Sequence, residues 1–274
     1  MTGRISCLFS RLLVSLAAVF AFTACGNSSA QADSQLIRHI IETRFASQEG
    51  EITVHLPEGY ESDTSKTYPV LYIPAGQNLN SKPVRRALGQ LVAAGEAPEA
   101  IVVTSNAYYR ALPPNDGAES NGAAPEYLAH LQDELIPFIE EKYRTSPERW
   151  ITGFSSTGIF LLYAMVEAPE LFDGYIFQSP AFDDDWVDYA SDISRQRLAM
   201  EPAEPISVFM GIGSRDTRNE RQSGFTAITA LFESTALDHI HFEKRTYARK
   251  SHEEFGDLIR DGILHLSRPI IGAP

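Results

Sequence analysis

Ile151-Thr152-Gly153-Phe154-Ser155-Ser156-Thr157-Gly158 is the stretch on which the reading of this chain turns. An apolar strand ends, a glycine permits a tight turn, and a serine follows. The next residues open a helix that is apolar almost all round (Ile159, Phe160, Leu161, Leu162, Ala164, Met165). Such a helix has no face for water and must be buried. A serine at this corner is held up in a strained turn at the positive end of a helix. The backbone N–H of Ser156 would then face the oxygen on which charge develops when Ser155 attacks a carbonyl. The pattern departs from Gly-x-Ser-x-Gly: Thr157 stands where the second glycine belongs, and Gly158 follows one residue later. A small-residue turn that merely packs a helix on a sheet would read the same way, so the surrounding chain has to decide.

Upstream, Glu51 to Leu56 alternates apolar and polar residues and is closed by Pro57-Glu58-Gly59-Tyr60, a strand entering a turn. Tyr68 to Ile73 and Ala100 to Thr104 are continuous apolar runs, as in strands covered on both faces. Pro83 to Ala94 has helical spacing between them. Pro125 to Tyr143 is the clearest amphipathic helix, with Leu128, Leu131, Leu135, Phe138 and Ile139 in one stripe and a kink expected at Pro137. Strands follow at Trp150 to Thr152, Tyr175 to Gln178, Ile206 to Ile212 and His239 to Tyr247, and a last helix spans about Glu254 to Leu266. Strands alternating with helices of this length predict an α/β fold, a mostly parallel central sheet with helices on both faces. The β-rich opening predicts antiparallel edge strands. In such sheets chemistry collects in the loops at the carboxyl ends of the strands.

Two further residues fall on that edge. Asp216 follows the strand ending Met210-Gly211-Ile212-Gly213, and His252 follows the strand ending near Tyr247. Serine, then acid, then histidine is the chain order this chemistry takes on a parallel sheet. The histidine takes the serine proton, and the acid holds the imidazole in one tautomer. Glu220 rivals Asp216 as the acid, and a turn or helix-capping role would also suit Asp216. The other histidines fit less well. His239, His241 and Glu243 share a spacing of two on one strand, but two histidines with no third ligand read as a half-exposed face rather than a metal site. Asp183-Asp184-Asp185 lacks the glycine and closing glutamate of a calcium loop, and His265 falls on the last helix, away from the predicted edge. The loop after Tyr68–Ile73 reads Pro74-Ala75-Gly76-Gln77-Asn78, and the N–H of Gly76 or Gln77 is the candidate second oxyanion donor.

Taken together, these stretches resemble the esterase D family of α/β hydrolases, which includes the enterochelin (siderophore) esterases. Tyr68-Pro-Val-Leu-Tyr-Ile-Pro-Ala-Gly76 is similar to the family's strand leading into its oxyanion loop. Leu131-Gln-Asp-Glu-Leu-Ile-Pro-Phe-Ile-Glu-Glu-Lys-Tyr-Arg-Thr145, followed by Arg149, is similar to the segment before its nucleophile. Gly153-Phe-Ser155, then Pro169-Glu-Leu-Phe-Asp-Gly-Tyr175 and Ser179-Pro180, continue in the family's order. The resemblance spans roughly Val54 to Leu266. It implies an α/β-hydrolase fold and hydrolysis of a carboxylic ester, with Ser155 as nucleophile, His252 as base and Asp216 in the acid loop. It also implies a substrate-binding arginine at Arg110, and no metal or organic cofactor. Three departures stand out: Ala75 replaces a common aspartate, Thr157 replaces a glycine, and Arg249-Lys250-Ser251-His252-Glu253-Glu254 lacks a flanking glycine. In that loop Glu253 or Glu254 would either raise the histidine pKa or simply keep the loop polar.

The first residues read as an export signal. Arg4 and Arg11 precede an apolar run from Leu12 to Ala24, and small polar residues follow. That run is shorter than the roughly 20 residues a membrane-spanning helix needs. Phe22-Thr23-Ala24-Cys25 resembles a lipobox, with Cys25 as the lipidated residue, and Ala30-Gln31-Ala32 is a competing small-x-small cleavage site. The chain thus divides into a signal and linker over 1–32 and one domain over 33–274. Both cysteines, Cys7 and Cys25, lie in the leader, so the domain offers no disulfide and no thiolate. The formal charge is −13, and the leader holds two arginines and no acid, so the remainder carries −15. A body this acidic repels polyanions, which excludes nucleic acid as a partner. The expected partner is a small ester, with membrane contact only through an N-terminal lipid, in the periplasm or on a bacterial membrane. Two rivals remain: transfer of the acyl group to an alcohol, and a non-catalytic surface lipoprotein that keeps the fold and binds a ligand.

Overall fold

Alternation within single strands divides the core in two. On β3 (Tyr68–Ile73), Val70 and Tyr72 join one apolar cluster while Leu71 and Ile73 join another. On β6 (Gly174–Gln178), Tyr175 and Phe177 oppose Ile176, and on β7 (Ile206–Gly213), Val208, Met210 and Ile212 oppose Phe209. Successive strand side chains point to opposite faces, so strands apolar at every position require cover on both sides. The computed structural model describes residues 35–41, 43, 50–74, 78–105, 124–182, 186–187, 205–216, 219–234, 239–252, 254 and 256–268, all within one compact unit, Asp33–Pro274.

The remaining strands are β1 (Leu36–Ile41), β2 (Gly50–His55), β4 (Ile101–Ser105), β5 (Thr145–Phe154) and β8 (Ile240–Tyr247). They form one sheet in the order β1-β2-β4-β3-β5-β6-β7-β8. β3 to β8 are mutually parallel, and β1 and β2 add the antiparallel edge. Parallel neighbours require crossovers, which helices supply. α1 (Asn78–Ala93) and α6 (Gly256–Leu266) cover one face through Val84, Leu88, Leu91, Leu258, Ile259 and Ile263. The other face is covered by α2 (Ala124–His130), α3 (Ile136–Lys142), α4 (Ser156–Glu167) and α5 (Asn219–Ser234). Every residue of α4 from Thr157 to Val166 is buried, as its unbroken apolarity requires.

Strand order fixes where a ligand can enter. From β3 the chain crosses outward to β4 on one side, and from β5 it crosses outward to β6 on the other. The loops leaving β3 and β5 therefore diverge and open a crevice at the carboxyl edge between these two central strands. Ser155 is the first residue after β5, and Pro74 the first after β3.

Three local expectations are corrected. α1 begins at Asn78 rather than Pro83, so Pro83 lies inside the helix. β5 begins at Thr145, five residues before the apolar Trp150, because Tyr68 pairs with Thr145 before an irregularity resets the register at Val70 and Arg149. The helix expected over Pro125 to Tyr143 runs on through Pro137, and what stands at the expected kink is a π-helical turn over Leu131–Leu135 that carries α2 into α3. Proline lacks the N–H and its ring crowds the carbonyl four residues back, and a wider turn just before it relieves both.

Several histidines are buried in this core. Burial and the nearby Arg85 push His55 down to about 4, and burial also lowers His130 and His265. Unfolded histidines take up protons near 6.5, whereas these resist in the fold. The unfolded chain thus binds more protons between those limits. The stability these groups contribute is complete above about pH 6.5 and is lost as pH falls toward 4. Denaturant midpoints measured from pH 7 to pH 4.5 are expected to fall, and His55→Gln is expected to flatten that slope.

Candidate active site

The residue that links β5 to α4 has an unusual backbone. Ser155 sits at φ 57° and ψ −119°, and its side chain makes no capping bond to the helix it precedes. Serine at this position ordinarily caps the helix with its hydroxyl; here the hydroxyl is left for other work. A β-carbon at positive φ is strained, and the neighbours hold it there. Ser155 N–H donates to the Gln178 carbonyl at 2.9 Å, and the Ser155 carbonyl accepts from Gly158 N–H at 2.9 Å and Ala181 N–H at 3.1 Å. Among the described residues, three non-glycine positions have positive φ: Ser155, Ser179 and Arg249. They follow β5, β6 and β8, so all three lie at the carboxyl edge of the sheet.

Glycines explain the altered motif. A β-carbon on Gly153 would lie 2.7 Å from Leu161 Cδ1 and 2.8 Å from the Thr157 carbonyl oxygen, so this position lets α4 close on β5. One on Gly158 would lie 2.8 Å from Pro180 Cβ. The close approach in this protein is thus made to the loop after β6, at Gly158, while the side chain of Thr157 is accommodated and buried. Ser156 opens α4, and the N–H groups of a first helical turn have no intrahelical acceptor.

The loops after β7 and β8 are stitched together. Ser214 N–H donates to the Tyr247 carbonyl at 2.9 Å, Arg215 N–H to the Lys250 carbonyl at 2.9 Å, and Arg249 N–H to Ser214 Oγ at 2.9 Å. Gly213 presses on the Lys250 carbonyl with no room for a side chain. These contacts bring His252 Nδ1 to 2.6 Å from Asp216 Oδ2. The Asp216 side chain is 1% exposed and the His252 side chain 22%, a buried carboxylate beneath an imidazole that meets solvent. Phe154 packs on the His252 ring with centroids 4.6 Å apart. Behind the carboxylate, Arg221 Nη1 lies 3.4 Å from Asp216 Oδ1. Gln222 Nε2 donates to the Gly213 carbonyl at 2.9 Å and to the Asp216 carbonyl at 3.4 Å.

Asp216 and His252 are therefore brought together at the edge that holds Ser155. Glu220 lies in the first turn of α5, its side chain outside those described. Gly76, Gln77, Ala75, Arg110, Cys25, Asp183 to Asp185 and Glu253 lie outside the described residues. Glu254 is turned to its own loop, accepting from Ser251 N–H at 2.9 Å and Ser251 Oγ at 2.8 Å, and those bonds lower its pKa. His241 and His265 stack face to face, with ring centroids 4.3 Å apart and planes 15° apart. Stacked rings offer each other faces rather than lone pairs, and among the described residues no group of three potential ligands could hold a metal. Phe154 and Arg221 were not singled out by sequence. Phe154 meets His252 from far along the chain, and Arg221 meets Asp216 from five residues on, a spacing that by itself signals no contact.

Residues 45–257 match the family model Esterase. The chain belongs to this family of carboxylic ester hydrolases. Membership agrees with the resemblance read from the sequence. Over 211 residues, 70% of its length, the chain is 33% identical to an endo-1,4-beta-xylanase/feruloyl esterase of Xylanibacter ruminicola, of which it spans 27%. Among solved structures it is similar to an IroE-like serine hydrolase from Shewanella oneidensis, with a TM-score of 0.73, 20% identity, and coverage of 85% of this chain and 80% of that one. It is also similar to the siderophore hydrolase EstA of Aspergillus nidulans, with a TM-score of 0.72, 18% identity, and coverage of 94% and 99%. At these identities the likeness shows the fold, the α/β-hydrolase fold expected above.

The packing at the elbow gives a direct test. Gly153→Ala and Gly158→Ala are each expected to lower unfolding free energy by about 1–3 kcal/mol, the usual cost of overpacking. Chemical denaturation of the two variants beside the parent measures it.

Proposed function

We propose that this chain is an exported serine esterase in which Ser155, His252 and Asp216 act as a triad. The observation that carries the reading is the 2.6 Å contact of His252 Nδ1 with Asp216 Oδ2, at the edge where Ser155 stands at φ 57° with its hydroxyl unspent on capping. With Nδ1–H donating to the carboxylate, Nε2 is the nitrogen left to accept the serine proton. Ser155 Oγ then attacks the ester carbonyl, the alcohol leaves with the proton returned by His252, and water releases the acid from the acyl-enzyme by the same steps. Ser156 N–H at the head of α4 is one oxyanion donor. Gly76 or Gln77, following β3 in sequence, supplies the second.

For the substrate we infer a carboxylic ester of a siderophore lactone or of a small acyl or aryl group, with Arg110 near it. The names of the relatives, a feruloyl esterase and a siderophore hydrolase, support that range. For location, we infer export on the signal-like segment before Cys25, with lipid attachment to that cysteine.

A fluorophosphonate probe is expected to label Ser155, as mapped by peptide mass. Ser155→Ala is expected to abolish labelling and ester turnover while leaving the folding transition unchanged, since no capping bond is removed. His252→Ala is expected to slow labelling by at least about 10³-fold. Folded protein that takes no label would favour the ligand-binding reading, and product analysis with added alcohol separates hydrolysis from acyl transfer. In the native host, Cys25→Ala is expected to move the protein from the membrane to the soluble fraction.

A further inference from the structure

We propose that Arg221 is a positioning residue for the reaction, holding the Asp216 carboxylate in the orientation that serves His252; this rests on the assignment of Ser155, His252 and Asp216 as the catalytic set. Asp216 is almost closed to water, its side chain 1% exposed, and among the described residues its two oxygens face two side-chain partners. Oδ2 faces the imidazole at 2.6 Å and Oδ1 faces the guanidinium at 3.4 Å. Arg221 is itself buried, 9% exposed.

A buried carboxylate facing only a neutral imidazole would carry an uncompensated charge, which is costly to bury. Arg221 supplies a permanent cation on the side turned away from the histidine. It also closes off rotation of the carboxylate, because swinging Oδ2 away from Nδ1 would pull Oδ1 from the guanidinium. The neighbouring Gln222 fixes the backbone of the same loop through the Gly213 and Asp216 carbonyls. Two consecutive residues of the first turn of α5 therefore hold the acid, one by its side chain and one by its main chain.

Arg221 also bears on the histidine's charge. Its cation offsets part of the field that Asp216 exerts on the imidazole. Without it His252 would hold its proton to higher pH, and the ascending limb of the rate profile would move up. Among the described residues the other charged groups about this loop are Arg215, Arg249, Lys250 and Glu254, with Asp257 of α6 paired to Lys250 at 3.5 Å. None of these changes when Arg221 is replaced.

The experiment is a double-mutant cycle on the full chain with p-nitrophenyl acetate as the probe substrate. In the parent background Arg221→Gln is expected to lower kcat roughly 10- to 100-fold with KM changed less than about 2-fold. Its pH profile is expected to shift upward by about 0.5–1 unit, with Arg221→Lys restoring most of both. In the Asp216→Asn background the same substitution is expected to change kcat less than about 2-fold, because the effect of Arg221 on turnover runs through the carboxylate. Equal losses in the two backgrounds, or no loss in either, would overturn the proposal. If Arg221→Gln does not fold, the same cycle run with Arg221→Met, which keeps the apolar stem and removes the cation, decides on the same criterion, a loss confined to the background that keeps Asp216. Turnover that survives Ser155→Ala would instead sink the catalytic assignment itself, whatever Arg221 does.

Discussion

The backbone of Ser155 is the constraint on which the working edge depends. A non-glycine residue at positive φ costs on the order of 1–3 kcal/mol, and it persists only where the surroundings over-determine it. Here β6 takes the Ser155 N–H, the loop after β6 binds its carbonyl, and α4 closes back through Gly158. Gly153 and Gly158 leave the space that this closure needs. The helix behind the turn is buried on all sides, so it cannot roll away to release the strain. A soft core under α4 would let the turn relax toward an ordinary capped serine, and the hydroxyl would then be bonded to the helix instead of standing clear of it.

Asp216 and His252 are positioned by other means than Ser155. Each lies on a loop, and loops are the least rigid parts of a fold. Rigidity comes from binding the two loops to each other through main-chain bonds and from the contact of Gly213 with the Lys250 carbonyl. The polar contact between Asp216 and His252 then spans 36 residues of chain at 2.6 Å. The surrounding shell is mixed: Phe154 supplies an apolar face to the imidazole, and Arg221 supplies charge to the carboxylate.

Much of this was legible in the sequence. The strand Tyr68–Ile73 was read to the residue, because an unbroken apolar run between polar segments has one interpretation on a parallel sheet. The common edge of Ser155, Asp216 and His252 followed from their places just after strands, which a parallel topology puts side by side. Periodicity misled where backbone geometry overrode it. Thr145 to Arg149 is polar, yet pairs with β3. Pro83, read as the start of a helix, sits inside one that begins at Asn78. Which of Asp216 and Glu220 faces the histidine was beyond spacing alone, since both follow β7 closely, and it took side-chain geometry to bring Asp216 into contact.

Stitching the two loops has a consequence for motion. Local opening in proteins proceeds in cooperative units, and segments joined by several main-chain bonds open as one. The loop after β7 cannot lift without breaking its bonds to Tyr247 and Lys250, so the segments that carry Asp216 and His252 leave and return together. The elbow at Ser155 is anchored separately, to β6 and to the fully buried α4. Whatever opens these loops therefore has to strip the Phe154 ring from His252 as well, so the elbow and the stitched pair are registered to each other by packing rather than by either loop alone.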